Sequence, residues 1–122
     1  DQIEVLLEKA AKDIKVAKAN VAIDFETAYS LAYNSMLKAG RALVLSQGYR
    51  TTDGAQHKTT VDFCGHFIDV KALVSTFDRM RRDRNMLMYD PCDLDAIEEE
   101  TVLSAIGSAE HFYKEVMKKI KK

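Results

Sequence analysis

Between Asp24 and Gly48 the apolar residues fall on two helical stripes at once. One stripe is Phe25, Ala28, Ala32, Met36, Ala39 and Leu43; the other is Tyr29, Tyr33, Leu37, Gly40 and Val44. A helix that is apolar on two sides must be covered on two sides, so this segment is expected to sit at the centre of a helical bundle. Asp24 is a good N-cap and Gly48 a good residue for the left-handed turn that ends a helix. The small residues Ala28, Ala32, Ala39 and Gly40 would let neighbouring helices approach closely. Tyr29, Tyr33 and Met36 read as core packing, each tyrosine hydroxyl reaching an edge or a partner.

The rest of the chain shows the same 3-4 periodicity and no alternation long enough for a sheet. A first helix is expected from Gln2 to Lys18, with Ile3, Leu6, Leu7, Ala10, Ile14 and Ala17 inward. Residues Tyr49 to Gln56 form a turn-rich loop. A third helix follows from His57 to Asp69, with Val61, Cys64, Phe67 and Ile68 inward, and a fourth from Lys71 to Tyr89, with Leu73, Phe77, Met80 and Leu87 inward. These two could also be one kinked helix. Pro91 stops the fourth. A last helix, Ala96 to Lys121, has Asp95 as candidate cap, Glu98, Glu99 and Glu100 at its start and Lys118, Lys119 and Lys121 at its end, as the dipole prefers. Its expected inward stripe is Val102, Ile106, Ala109, Tyr113, Val116 and Ile120. The fold class is all-α, a bundle of four or five helices.

Composition removes several classes of function. With 47% hydrophobic and 30% charged residues in 122, the chain is an ordinary globular sequence of one domain's length and not a disordered one. No apolar run approaches the roughly 20 residues that cross a bilayer, so no membrane association is expected. The start, Asp1-Gln2-Ile3-Glu4, does not resemble a signal peptide. Cys64 and Cys92, the two cysteines, are too few for a disulfide framework or zinc cluster and read as reduced thiols of a cytoplasmic protein. No Glu-x-x-His pair suits a di-iron centre, and no glycine-rich phosphate loop or nucleophile–base array is present. Asp62 and His66, four apart, are better explained by a surface hydrogen bond than by a metal. No metal or cofactor is expected.

The net charge is −1, so affinity for nucleic acid must come from a local patch. One candidate stands out: Arg79, Arg81, Arg82 and Arg84, followed by Asn85 and then Tyr89-Asp90-Pro91. Arg82, Asn85 and Tyr89 share a helical face. Arg84 falls on the apolar stripe of Leu73, Phe77, Met80 and Leu87, where an unpaired guanidinium is costly and needs an acidic or phosphate partner. From Asn85 to Tyr113 there is no Lys or Arg but seven Asp or Glu residues. The arginines therefore either pair with the acidic start of the last helix, within the chain or across a dimer, or bind phosphate through Arg81, Arg82 and Arg84.

These residues and others give the sequence a resemblance to HEPN domains, small α-helical proteins often encoded beside a minimal nucleotidyltransferase. The resemblance is carried by Ala10 to Ile14 and Ala17, by Tyr29 to Asn34 running into Lys38 to Leu43 and Gly48-Tyr49, and by His57. Its most specific part is Arg84-Asn85-Met86-Leu87-Met88-Tyr89-Asp90-Pro91. The resemblance implies an up-and-down, HEPN-like bundle over residues 1–122 and a homodimer whose two motif copies line one cleft. It also implies metal-independent RNA cleavage by an Arg, a following polar residue and a His four to six residues beyond the Arg. Arg84 and Asn85 match the first two places, but Tyr89 occupies the place of the His. With a reference pKa near 10 against about 6.5 for His, tyrosine is a poor general base. The motif keeps its phosphate-binding half and lacks the usual proton-transfer half. The implied function is a toxin–antitoxin component whose dimer cleft binds RNA or a nucleotide phosphate, Arg84 supplying charge, Asn85 orienting it and Tyr89 stacking or donating a hydrogen bond. Any cleavage is expected to be slow. The alternative is a non-catalytic module that docks a nucleotidyltransferase partner.

Overall fold

Two aspartates set the first helical hairpin. Asp1 accepts a hydrogen bond from the Glu4 backbone N–H at 2.9 Å, and Asp24 accepts one from that of Thr27 at 3.2 Å, each satisfying a donor left open by a helix start. In this computed structural model, residues 1–49, 56–89 and 97–120 are described, with the side chains of residues 56 and 85–89 outside that description. The elements are α1 (Gln2–Asn20), α2 (Phe25–Ser46), α3 (Gln56–Phe67), α4 (Lys71–Tyr89) and α5 (Glu99–Ile120). No strand occurs among the described residues, and the expected all-α bundle is what forms. No helix among them is long and apolar enough to cross a membrane.

Helix α2 packs against all four others, as its two apolar stripes require. It buries residues of both stripes, from Ala28 and Tyr29 to Leu43 and Val44, and also Ser35, whose hydroxyl donates to the Ala10 carbonyl at 2.8 Å. The helix stops at Ser46, and Gly48 takes φ +84° in the turn beyond it, a left-handed conformation that glycine adopts without a Cβ penalty. Helices α1, α2, α4 and α5 alternate in direction. Helix α3 is laid beside this set in the same sense as α2: Tyr33 meets His57 and Gly40 meets Cys64, the same offset twice. Gly40 makes the approach possible, since a Cβ there would lie 2.8 Å from the Thr60 methyl and 3.2 Å from the Cys64 sulfur.

Helices α3 and α4 are separate. The break at residues 68–70 is held by the Leu73 N–H donating to the Val70 carbonyl and by Lys71 Nζ donating to the Gly65 carbonyl, both near 3 Å. The α4 limits match the sequence reading. The start of α5 falls at Glu99 rather than Ala96, while Asp95, Pro91 and most of the 49–56 loop lie outside the described residues. The inward face of α5 also needs a correction: Val102, Ala105, Ile106, Ala109, Phe112 and Val116 are buried, whereas Tyr113 and Ile120 are only partly so. A strict step of four from Ala109 selects Tyr113; a step of three selects Phe112, whose wholly apolar ring fits the interior without a hydroxyl to satisfy.

An aromatic series crosses the core. Phe112 of α5 meets Phe77 of α4 at 5.1 Å between centroids, and Phe77 meets Tyr33 of α2 at 5.9 Å, all three rings buried. Such tilted contacts add to the burial of each ring. Phe112→Ala should cost about 3–5 kcal/mol of unfolding free energy in a denaturant titration, and Tyr113→Ala clearly less. Equal losses would mean that α5 faces the core at the other phase.

Candidate functional site

The core series does not end at Tyr33. The His57 imidazole stacks on its ring at 5.9 Å between centroids and 24° between planes, and Tyr33 Oη lies 2.8 Å from His57 Nδ1. From the C-terminal half of α4, the Arg84 guanidinium carbon sits 5.7 Å from the centroid of the same ring, within the range of a cation–π contact. Three helices thus place an arginine, a histidine and a tyrosine together at one end of the bundle.

Arg84 stands where the stripe of Leu73, Phe77 and Met80 continues, half-buried above three buried side chains. Its aliphatic stem can follow that apolar face while the charged head passes over Tyr33. The ion pairs of α4 involve its neighbours. Asp78 Oδ1 accepts from Arg81 Nε at 3.1 Å and Nη2 at 3.0 Å, and Asp78 Oδ2 lies 3.6 Å from Arg82 Nε. Among the described residues no carboxylate pairs with Arg84. Arg81, its side chain 16% exposed, faces inward toward the Tyr33–His57 pair, whereas Arg82, 63% exposed, faces solvent. Helix α5 does not neutralise this group. Its Glu100 instead lines a separate groove of about 390 Å³ with Arg79 and Asp83. In that groove the Tyr29 hydroxyl donates to Asp83 Oδ2 at 2.9 Å, and burial together with Asp83 drives the phenol's pKa above its usual range.

Position 89 holds a tyrosine, and from α3 His57 is brought onto the Tyr33 ring over which Arg84 lies. Its imidazole is held below the ordinary value of 6.5 by burial first and then by the positive charges of Arg84, Arg41 and Arg81. Burial also pushes the Tyr33 phenol up to about 12, against the pull of the same three arginines. Near neutral pH the pair is therefore a neutral imidazole and a protonated phenol. The positive charge of Arg41, two turns beyond Tyr33 on α2, also bears on both groups.

Sequence reasoning located Arg81 and Arg84 and missed Tyr33 and His57 as members of one group. The contact of α3 with α2 spans 24 positions, and no local spacing announces it. His57 carried a hint, since the family resemblance included it. Asn85 and Tyr89 continue α4, but their side chains lie outside the described residues. Tyr29 and Tyr33 are buried, each hydroxyl with a partner, as core packing requires. Asp62 lies 3.8 Å from Lys58, so its partner is a lysine on its own helix.

The depressed imidazole has a consequence for stability. Unfolded, His57 titrates near 6.5; folded, it titrates lower, so between these values the unfolded chain binds more protons. Its contribution to stability is present above 6.5 and is lost as pH falls through the folded value. His57→Asn, which keeps an acceptor for Tyr33, should reduce the stability lost between about pH 7.5 and about pH 5 in denaturant titrations. An unchanged loss would mean that His57 titrates normally in the folded protein.

No curated protein matches the chain significantly. The HEPN domain family matches it over residues 3–120, nearly the whole sequence, and the structure has five helices. The chain belongs to the HEPN domain family.

Proposed function

We propose that this HEPN domain binds the phosphodiester backbone of RNA, or the phosphate of a nucleotide, at the end of the bundle where Arg84 lies over Tyr33 beside His57 and Arg81 faces the same pair, as one component of a toxin–antitoxin pair. The observation that carries this reading is Arg84: a half-buried guanidinium set over an aromatic ring with no carboxylate beside it among the described residues. A phosphate would complete it through charge-assisted hydrogen bonds, which a planar guanidinium forms in pairs. Arg81 adds charge from a position already ordered by Asp78, and Arg82 offers a solvent-facing contact at the rim. Asn85, next to Arg84, orients the bound group, and Tyr89, a turn further along, stacks on a base or donates a hydrogen bond. A homodimer brings two such groups together and doubles the charge available to a polyanion. RNA cleavage, where it occurs, is metal-independent and slow, because a tyrosine stands where a motif histidine would move the proton.

Fluorescence anisotropy with a labelled single-stranded RNA tests the binding. Arg84→Ala should weaken it about tenfold, and the slope of log affinity against log salt should shrink by about 0.7, the loss of one phosphate contact. In EDTA, slow cleavage by the wild type should fall further in the variant. Equal affinity and equal salt slope for both proteins would remove Arg84 from the site.

A further inference from the structure

His57 is placed for more than packing. It shares Tyr33 with Arg84, one on the ring by stacking and by its Nδ1, the other over the ring by its guanidinium. The two groups are therefore tied to one buried, immobile support. Every helix packed against His57 presents charge to it: Arg41 from α2, Arg81 and Arg84 from α4. Among the described residues, Asp78 of α4 is engaged by Arg81 and Arg82, and Lys58 on the helix of His57 turns to Asp62.

We propose that an anion bound at Arg81 and Arg84 draws a proton onto His57, so that the site takes up a proton as it binds phosphate. This rests on the phosphodiester reading above and adds the proton. Three positive charges oppose a fourth on the imidazole, and an anion seated at Arg81 and Arg84 cancels much of that opposition. An opposite charge within about 4–6 Å raises the pKa of a histidine by about one to three units. Tyr33 accommodates both states, because a phenol both donates and accepts. Neutral His57 pairs with Tyr33 Oη in either tautomer, Nδ1 accepting or donating, and charged His57 donates its Nδ1–H to Tyr33 Oη across the same 2.8 Å. The imidazolium so formed is a proton donor near neutral pH, the property Tyr89 lacks.

The probe is a short 2′-O-methyl RNA oligonucleotide, which resists cleavage and whose phosphodiesters hold a constant charge across the range used. Calorimetric titrations at about pH 6.5, in buffers of different ionisation enthalpy, should show uptake of about half to one proton per site, and His57→Asn should abolish it. Affinity for the wild type should fall by up to about tenfold per pH unit between the free and bound midpoints of His57. Proton NMR of the wild type gives a reading independent of any variant. The His57 midpoint should rise by about one unit or more on saturation. Binding without proton uptake, uptake that persists in His57→Asn, or an unmoved His57 midpoint would each overturn the proposal while leaving the phosphodiester reading standing. No binding at low salt would overturn that reading, and this one with it.

Discussion

Tyr33 is the residue on which the arrangement turns. Its ring is fully buried, closes the aromatic series from Phe112 through Phe77, and supports His57 and Arg84 on its far side. A tyrosine suits this place better than phenylalanine. The ring supplies the apolar area that fixes it among α2 and α4, and the hydroxyl gives a buried polar group a partner in His57. Because the ring cannot move without opening the core, the site inherits the rigidity of the bundle.

The electrostatics follow from that anchoring. Guanidinium groups repel one another, and a protein interior screens the repulsion less than water does. Asp78 offsets part of it by engaging Arg81 and Arg82 on the same helix. What is left falls on the imidazole, which stays neutral, and on the phenol, which stays protonated because burial outweighs the arginines. The site is thus electropositive and contains no counter-charge for Arg84 among the described residues. Perturbed groups of this kind mark functional sites more often than structural ones.

The two sides of α4 show how one segment serves stability and function together. On the α5 side, Asp83 ties Tyr29 to the helix, and Arg79 faces Glu100 across a groove of mixed charge. On the α2–α3 side, Arg81 and Arg84 converge on Tyr33 and His57, and among the described residues Asp78 engages Arg81 while no carboxylate pairs with Arg84. Glu100 at the start of α5 therefore lies on a different face of α4 from the one that carries Arg84. Four arginines close together in sequence divide among three environments, because a helix turns successive side chains by about 100°.

Much of the fold was legible in the sequence. The double stripe of α2 fixed its central place, Asp24 its start and Gly40 a close approach, because periodicity and caps are local properties that burial then enforces. The break between α3 and α4 stayed ambiguous because it depends on a few turn hydrogen bonds rather than on a proline or glycine signal. The face of α5 was misjudged by one residue because two aromatics stand side by side at 112 and 113, and packing against Phe77 made the choice. The sequence alone determined that Arg84 lies on the apolar stripe of α4. Only the tertiary structure decided what stands beside it: Arg84 lies over Tyr33, 51 positions earlier, and His57, 27 earlier, reaches the same ring because α3 lies along α2 in the same direction. Such contacts belong to the packing of three helices, and no spacing within any one of them encodes them.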